Sequence, residues 1–341
     1  MNERLIVCST DSAAGGLRAS GLADRVEWAT HPLVWGPAPD VDDPLAFVAA
    51  RCAAWGSDRE TSDQPPDWEW SGATPHDERL LGWEHHQPAF FEHDRIELWI
   101  DPAPNAQLQM IQLLAWLGAQ PTLADKAFLV QAREPLGERT PEDIRALNPR
   151  IDPVTPSQFV LAARAWRAFR QPTPREWFAL LAASDLDALP GLRSTVRLLL
   201  GELPDARTGL RATERWMLET VAREDGATWM STVVPMLRFD DASVFGYWEL
   251  GRLFDGLARG DLPAILGLPP GPFDLDLHHD ERRRRPYQRS PLRLSPFGEA
   301  LLRGDADLAA HRAIRFWWGG TLLTPERLWR WDAPTRTLVG G

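Results

Sequence analysis

Residues 95–117 constrain the fold more than any other stretch. Arg95-Ile-Glu-Leu-Trp-Ile100 is a short apolar run, Asp101-Pro-Ala-Pro104 a proline-broken turn, and residues 105–117 carry apolar side chains at helical spacing. Strand, loop and helix in that order form the repeating unit of an open α/β sheet. Asp101 then falls where a strand ends and its loop begins, the edge at which such sheets bind ligands.

The same unit recurs at the start. Leu5-Ile-Val-Cys8 is followed by the small-residue turn Ser9-Thr-Asp-Ser-Ala-Ala-Gly-Gly16 and a helical pattern over 17–22. A second short strand is expected at 25–28, a Pro/Gly-rich loop over 32–39, a helix over 43–55, a polar loop over 57–75 and another strand at Ala127-Phe-Leu-Val130. Residues 1–135 therefore read as an α/β domain, a mostly parallel sheet with helices on both faces.

The middle differs. Thr140-Pro-Glu-Asp, Thr155-Pro-Ser-Gln and Thr173-Pro-Arg-Glu each set a capping Thr before a Pro at the first helical position. Three helix starts in succession make residues 136–205 a helical segment. Residues 206–341 change again: helices are expected over 213–222, 228–237 and 243–258, then a strand turning into a short helix over 292–302. Three helices followed by strands is the order of a winged helix-turn-helix, so this region reads as an α+β, winged-helix-like domain for contacts with DNA or protein.

Composition narrows the functional classes. Among 341 residues no apolar run approaches the roughly 18 needed to span a bilayer. Met1-Asn-Glu-Arg leads into a strand pattern rather than a signal-peptide core, so a cytoplasmic protein without a membrane partner is expected. Cys8 and Cys52, in different expected elements, read as small buried side chains and not as a disulfide. A net charge of −11 opposes non-specific nucleic-acid affinity. The 17 Trp read mostly as packing residues.

Asp11-Ser12 after the first strand, Gly36-Pro-Ala-Pro39, Leu98-Trp99 with Gln107-Leu-Gln, Trp318-Gly-Gly320 and the closing Trp329-Arg-Trp-Asp332 together resemble a bacterial family, the DUF1835 domain proteins. The likeness runs in order over nearly the whole chain and implies the fold; the family has no assigned activity. Its loop after the Leu-Trp strand carries several acidic and polar residues where this chain has Asp101-Pro-Ala and Ala106-Gln-Leu, and Trp35 stands where an acid precedes Gly36. If that acidic set serves a metal or general acid–base chemistry, this chain keeps only Asp11, Asp101 and Gln107.

Three constellations are candidates for function. Asp11, Ser12, Asp101 and Gln107 should meet at one sheet edge and take a small molecule or a phosphate at a helix start, either for binding or as a hydrolase or transferase. The plain alternative has Asp11 and Ser12 merely capping their helix. Asp274, Asp276, His278 and Asp280 share one face if Phe273-Asp-Leu-Asp-Leu-His-His-Asp280 is a strand, a set able to hold a divalent cation; a solvated strand face gives the same pattern. His85, His86 and His93 form a weaker metal set. Arg282, Arg283, Arg284, Arg285 and Arg289 fall where the wing would lie, so phosphate contacts by a DNA-binding regulator are the rival reading to a solvated charge run. The turn at 12–16 matches neither the dinucleotide fingerprint nor the P-loop, so no cofactor is specified.

Overall fold

A computed structural model describes residues 4–58, 82–237, 243–312 and 314–341. Most of the polar loop expected over 57–75 lies outside the described residues. Strand β1 (Arg4–Cys8) leads to helix α1 (Asp11–Ser20), β2 (Arg25–Trp28), α2 (Pro44–Asp58), β3 (Arg95–Ile100), α3 (Pro104–Gly118) and β4 (Ala127–Gln131). A short α4 (Pro141–Ala146) and a two-residue β5 (Asp152–Pro153) come next. The sheet order is β2-β1-β3-β4-β5, with β1 to β4 parallel and β5 antiparallel on β4. The chain reverses its direction of winding between β1 and β3, so the C-terminal ends of those two strands form the topological switch point.

Alternation along each strand sets the two faces. Ile96, Leu98 and Ile100 of β3 enter a large apolar cluster with Leu108, Ile111 and Leu114 of α3. On the opposite face a smaller cluster joins Ile6, Cys8 and Trp99 to Ala13, Ala14 and Leu17 of α1 and Ile144 of α4. Helices thus cover both faces. Glu97 points to the smaller face and is wholly buried, where Arg4, Arg95 (2.6 Å) and the Trp99 indole N–H (2.9 Å) surround its carboxylate. Cys8 and Cys52 are buried and form no disulfide, and burial pushes the Cys8 thiol up to about 12.

The middle segment packs on the sheet. Helix α5 (Pro156–Phe169) starts with a complete Thr155/Gln158 capping box and lies along α3, and Thr140 caps α4. The third expected cap is not formed: α6 (Arg175–Ala179) has Pro174 at its cap position and no side-chain cap bond. Helix α7 (Leu192–Gly201) closes this part. Leu161, Trp166 and Phe169 of α5 and Leu192, Val196 and Leu199 of α7 join the same large cluster as the sheet, each fully buried apolar side chain contributing about 2 kcal/mol.

The C-terminal region holds α8 (Ala212–Arg223), α9 (Trp229–Leu237) and α10 (Tyr247–Leu257). Then come β6 (Ile265–Leu266), α11 (Leu275–His279), α12 (Glu281–Arg289), β7 (Arg293–Leu294) and α13 (Pro296–Arg303), with β6 antiparallel to β7. Two hairpins complete it, β8 (Phe316–Trp318) with β9 (Thr321–Leu323) and β10 (Arg330–Asp332) with β11 (Thr337–Val339). The first seats itself through Trp318-Gly-Gly320. The Gly320 N–H donates to Phe169 O (2.9 Å), the Trp318 indole to Leu199 O (2.7 Å), and any Cβ at Gly320 would strike the backbone of Arg170. Among the described residues no helix is long and apolar enough to cross a membrane.

Candidate functional site

At the switch point the strand ends do converge, but they close on each other. The Ser9 hydroxyl, at the end of β1, donates to Asp101 Oδ2 (2.8 Å), and the Leu136 N–H donates to Asp101 Oδ1 (2.9 Å). Gln107 Nε2 donates to the Asp101 carbonyl (2.8 Å). Asp101 is 4% exposed, and burial, with Glu138 nearby, raises its carboxyl above the ordinary range against the lowering effect of the two hydrogen bonds. Both carboxylate oxygens are therefore committed inside the protein.

Asp11 and Ser12 lie outside that knot, exposed on the first turn of α1. Neither is the helix cap; Thr10 is, accepting from the Ala13 N–H (3.1 Å). The turn at Leu136–Glu138 sits over this helix start so closely that a Cβ on Gly137 would stand 3.0 Å from the Ser12 side chain. The four expected residues thus divide, Asp101 and Gln107 inside and Asp11 and Ser12 outside, and a protein turn occupies the place where an anion was expected.

The open space is one strand further along. A cavity of about 460 Å³ lies beside the C-terminal end of β4, within the range of small-molecule sites. Trp99, Val130 and Leu136, all members of the smaller core cluster, form its floor, with Leu147 and Pro190 at the sides. The floor's one side-chain polar group, the Trp99 indole N–H, is spent on Glu97, and beside it Gln131 donates its Nε2 to Pro190 O (3.0 Å). The rim is charged, with Arg133, Arg139 and Arg150 against Glu134 and Asp152. Arg139 pairs with Glu134 (2.5 Å) and Arg150 with Asp152 (2.7 Å), in partly or fully exposed settings where a pair contributes about 1 kcal/mol or less. Arg133 is exposed and has no hydrogen-bond or ion-pair partner among the described residues. Sequence reasoning missed this site; Ala132-Arg-Glu-Pro135 is indistinguishable from a solvated loop until the fold brings Arg139 and Arg150 beside it.

The expected metal face on 273–280 is not a strand, and this corrects the sequence reading. Asp274 accepts from the Leu277 N–H (2.8 Å) as the cap of α11, and Asp280 accepts from the Arg282 N–H (2.9 Å) as the cap of α12. Phe273, just before the first cap, and Leu277, inside α11, are both buried, so the acids at 274 and 280 reflect two caps and not a pleat. Asp276 is exposed, and His278 Nδ1 meets the Tyr247 hydroxyl (3.2 Å). His93 is buried with Nδ1 on Ala89 O (2.7 Å), while His85 and His86 lie in a 3₁₀ turn, His86 3.8 Å from Glu27. Among the described residues no group of three or more His, Cys, Asp or Glu is placed to hold a metal ion.

The arginine run is likewise helix α12, not a wing strand. Arg283 reaches Gly271 O (3.4 Å) and Arg284 reaches His278 O (2.7 Å), which ties both to the local fold. Arg282, Arg285 and Arg289 recur at i, i+3 and i+7 and so share one helix face, where they line an open groove with Ser290 and Pro291.

Glu202, at the end of α7, carries no motif in the sequence and is the most perturbed carboxyl of the middle segment. Its Oε1 accepts from the Thr213 hydroxyl (2.7 Å) and N–H (3.2 Å), while Oε2 is buried without a hydrogen-bond partner. Burial pushes it up to about 7, with Thr213 and Arg211 pulling the other way and Glu214 adding to the rise. No family model and no curated protein matches this chain.

Proposed function

We propose that this protein binds a small molecule through its α/β domain, in the cavity beside β4, and couples it to a winged-helix-like interaction or regulatory region at the C-terminus. The observation that carries the reading is the cavity itself: about 460 Å³, apolar at the base, polar at the rim, on the strand-end side of a doubly wound sheet. The winged-helix part is supported by α8, α9 and α10 followed by β6, which pairs with β7 across the intervening α11 and α12. Hydrolase or transferase chemistry at Asp11, Ser12 and Asp101 loses support, because Asp101 is buried with both oxygens occupied. Kinship with the DUF1835 proteins belongs to the proposal and rests on the residue likenesses above. Its departures at Trp35, Pro102 and Ala103 accord with a strand-end edge that packs rather than binds.

The test is a thermal-shift screen of metabolites on the intact protein and on Leu147→Trp, which fills the cavity from one side. A compound that raises the melting temperature of the first and not of the second supports the reading. Equal shifts in both would place binding elsewhere.

A second reading concerns α12, where three exposed arginines share one face beside Glu281. It predicts duplex binding with a salt slope near −3, about 0.9 per phosphate neutralised, lost in the triple Ala variant of Arg282, Arg285 and Arg289. A slope indistinguishable from zero at low salt would remove it.

A further inference from the structure

Resting on the cavity reading above, we infer that the ligand is an organic anion with an apolar body, its charged head held by Arg133. Two observations define this class. The base is formed by Trp99, Val130 and Leu136, whose one side-chain hydrogen-bonding group, the indole N–H, is already bound to Glu97, so a polar body would be desolvated there without compensation. The rim carries three arginines and two acids, an excess of positive charge in a chain whose net charge is −11.

The three arginines are not equivalent. Arg139 and Arg150 are each neutralised by a neighbouring acid, Glu134 and Asp152. Arg133 is not neutralised, and its planar guanidinium presents paired donors to a carboxylate or a phosphate alike. A head group bound there keeps the two existing pairs intact, which limits the cost of binding to ordering one side chain. The body then packs against the apolar lining of the cavity, Leu147 and Pro190 among it, where burial supplies the rest of the affinity.

Calorimetric titration of the intact protein with four probes decides the matter: 2-naphthylacetate, 1-naphthyl phosphate, 2-naphthaleneethanol and inorganic phosphate. Both naphthyl acids should bind about tenfold or more tighter than the alcohol, and Arg133→Gln should erase that preference by weakening the acids far more than the alcohol. Arg133 is exposed, so the variant folds as the parent does. The better of the two acids identifies the head group. Alcohol and acids binding equally would overturn the anion class and leave the cavity reading standing; inorganic phosphate binding as tightly as naphthyl phosphate would overturn the apolar body. Failure of all four probes, or unchanged binding in Leu147→Trp, would overturn the cavity reading and this inference with it.

Discussion

Two neighbouring strand ends of one parallel sheet have opposite characters. At β1 and β3 the groups that look chemical, Ser9, Asp101 and Gln107, are turned on one another and sealed by the Leu136 turn. At β4, one strand away, nothing in the sequence looks chemical, yet an apolar floor and a charged rim enclose about 460 Å³. The difference lies in the segment leaving each strand. After β3 the chain enters α3 within four residues, whereas after β4 it wanders through residues 132–151, whose Leu136 end plugs the first edge and whose Arg133 to Arg150 side frames the second. A buried carboxylate with both oxygens bound is an anchor, and a site needs an unspent group beside an unfilled volume.

Substitutions can break or sharpen this contrast. The largest effect is expected from Trp99→Ala, which serves both regions as core side chain and cavity floor and whose indole also satisfies Glu97; it should cost about 3 to 4 kcal/mol in chemical denaturation. Asp101→Ala strands the Ser9 hydroxyl and the Leu136 N–H and should cost about 2 to 4 kcal/mol. A loss under about 0.5 kcal/mol, typical of a surface site, would mean that the edge is not sealed as described.

Glu202 offers the intermediate case, a carboxyl with only one oxygen satisfied. Its folded pKa of about 7 lies above the ordinary 4.5, so its stabilising contribution is complete below pH 4.5 and is lost as pH rises through 7. Glu202→Gln should therefore match the parent at pH 4.5 and exceed it at pH 8 by on the order of 1 to 3 kcal/mol, with Thr213 still donating to the amide oxygen. A constant offset across that range would contradict the burial argument. The smallest effect belongs to Arg133→Gln, within about 0.5 kcal/mol of the parent in the absence of ligand.

Much of the sheet is legible in the sequence because its signals are local. Leu5 to Cys8 and Ala127 to Val130 are apolar runs bounded by turn residues, and they fold as β1 and β4. Thr140 and Thr155 cap where expected because each side chain reaches an N–H three residues on; Thr173 does not, because Pro174 takes the cap position itself. The strand and wing expected over 273–289 fail for an equally local reason. Acids at 274 and 280 cap two short helices, and in sequence a cap before each helix imitates the alternation of a strand. The site is beyond reach in kind. Asp101 is closed by an N–H 35 residues away, and the cavity takes its walls from β3, β4, the loop after it and Pro190. No spacing rule within one segment records which of two adjacent strand ends a later turn will fill.

The contrast between the two edges is tested most directly by an amide and indole chemical-shift map of the intact protein titrated with 1-naphthyl phosphate. Perturbations centred on the Trp99 indole, Val130, Ala132 and Arg133, with Asp11 and Ser12 unmoved, are the predicted result. A map centred on Asp11, Ser12 and the first turn of α1, with the Trp99 indole unmoved, would contradict it.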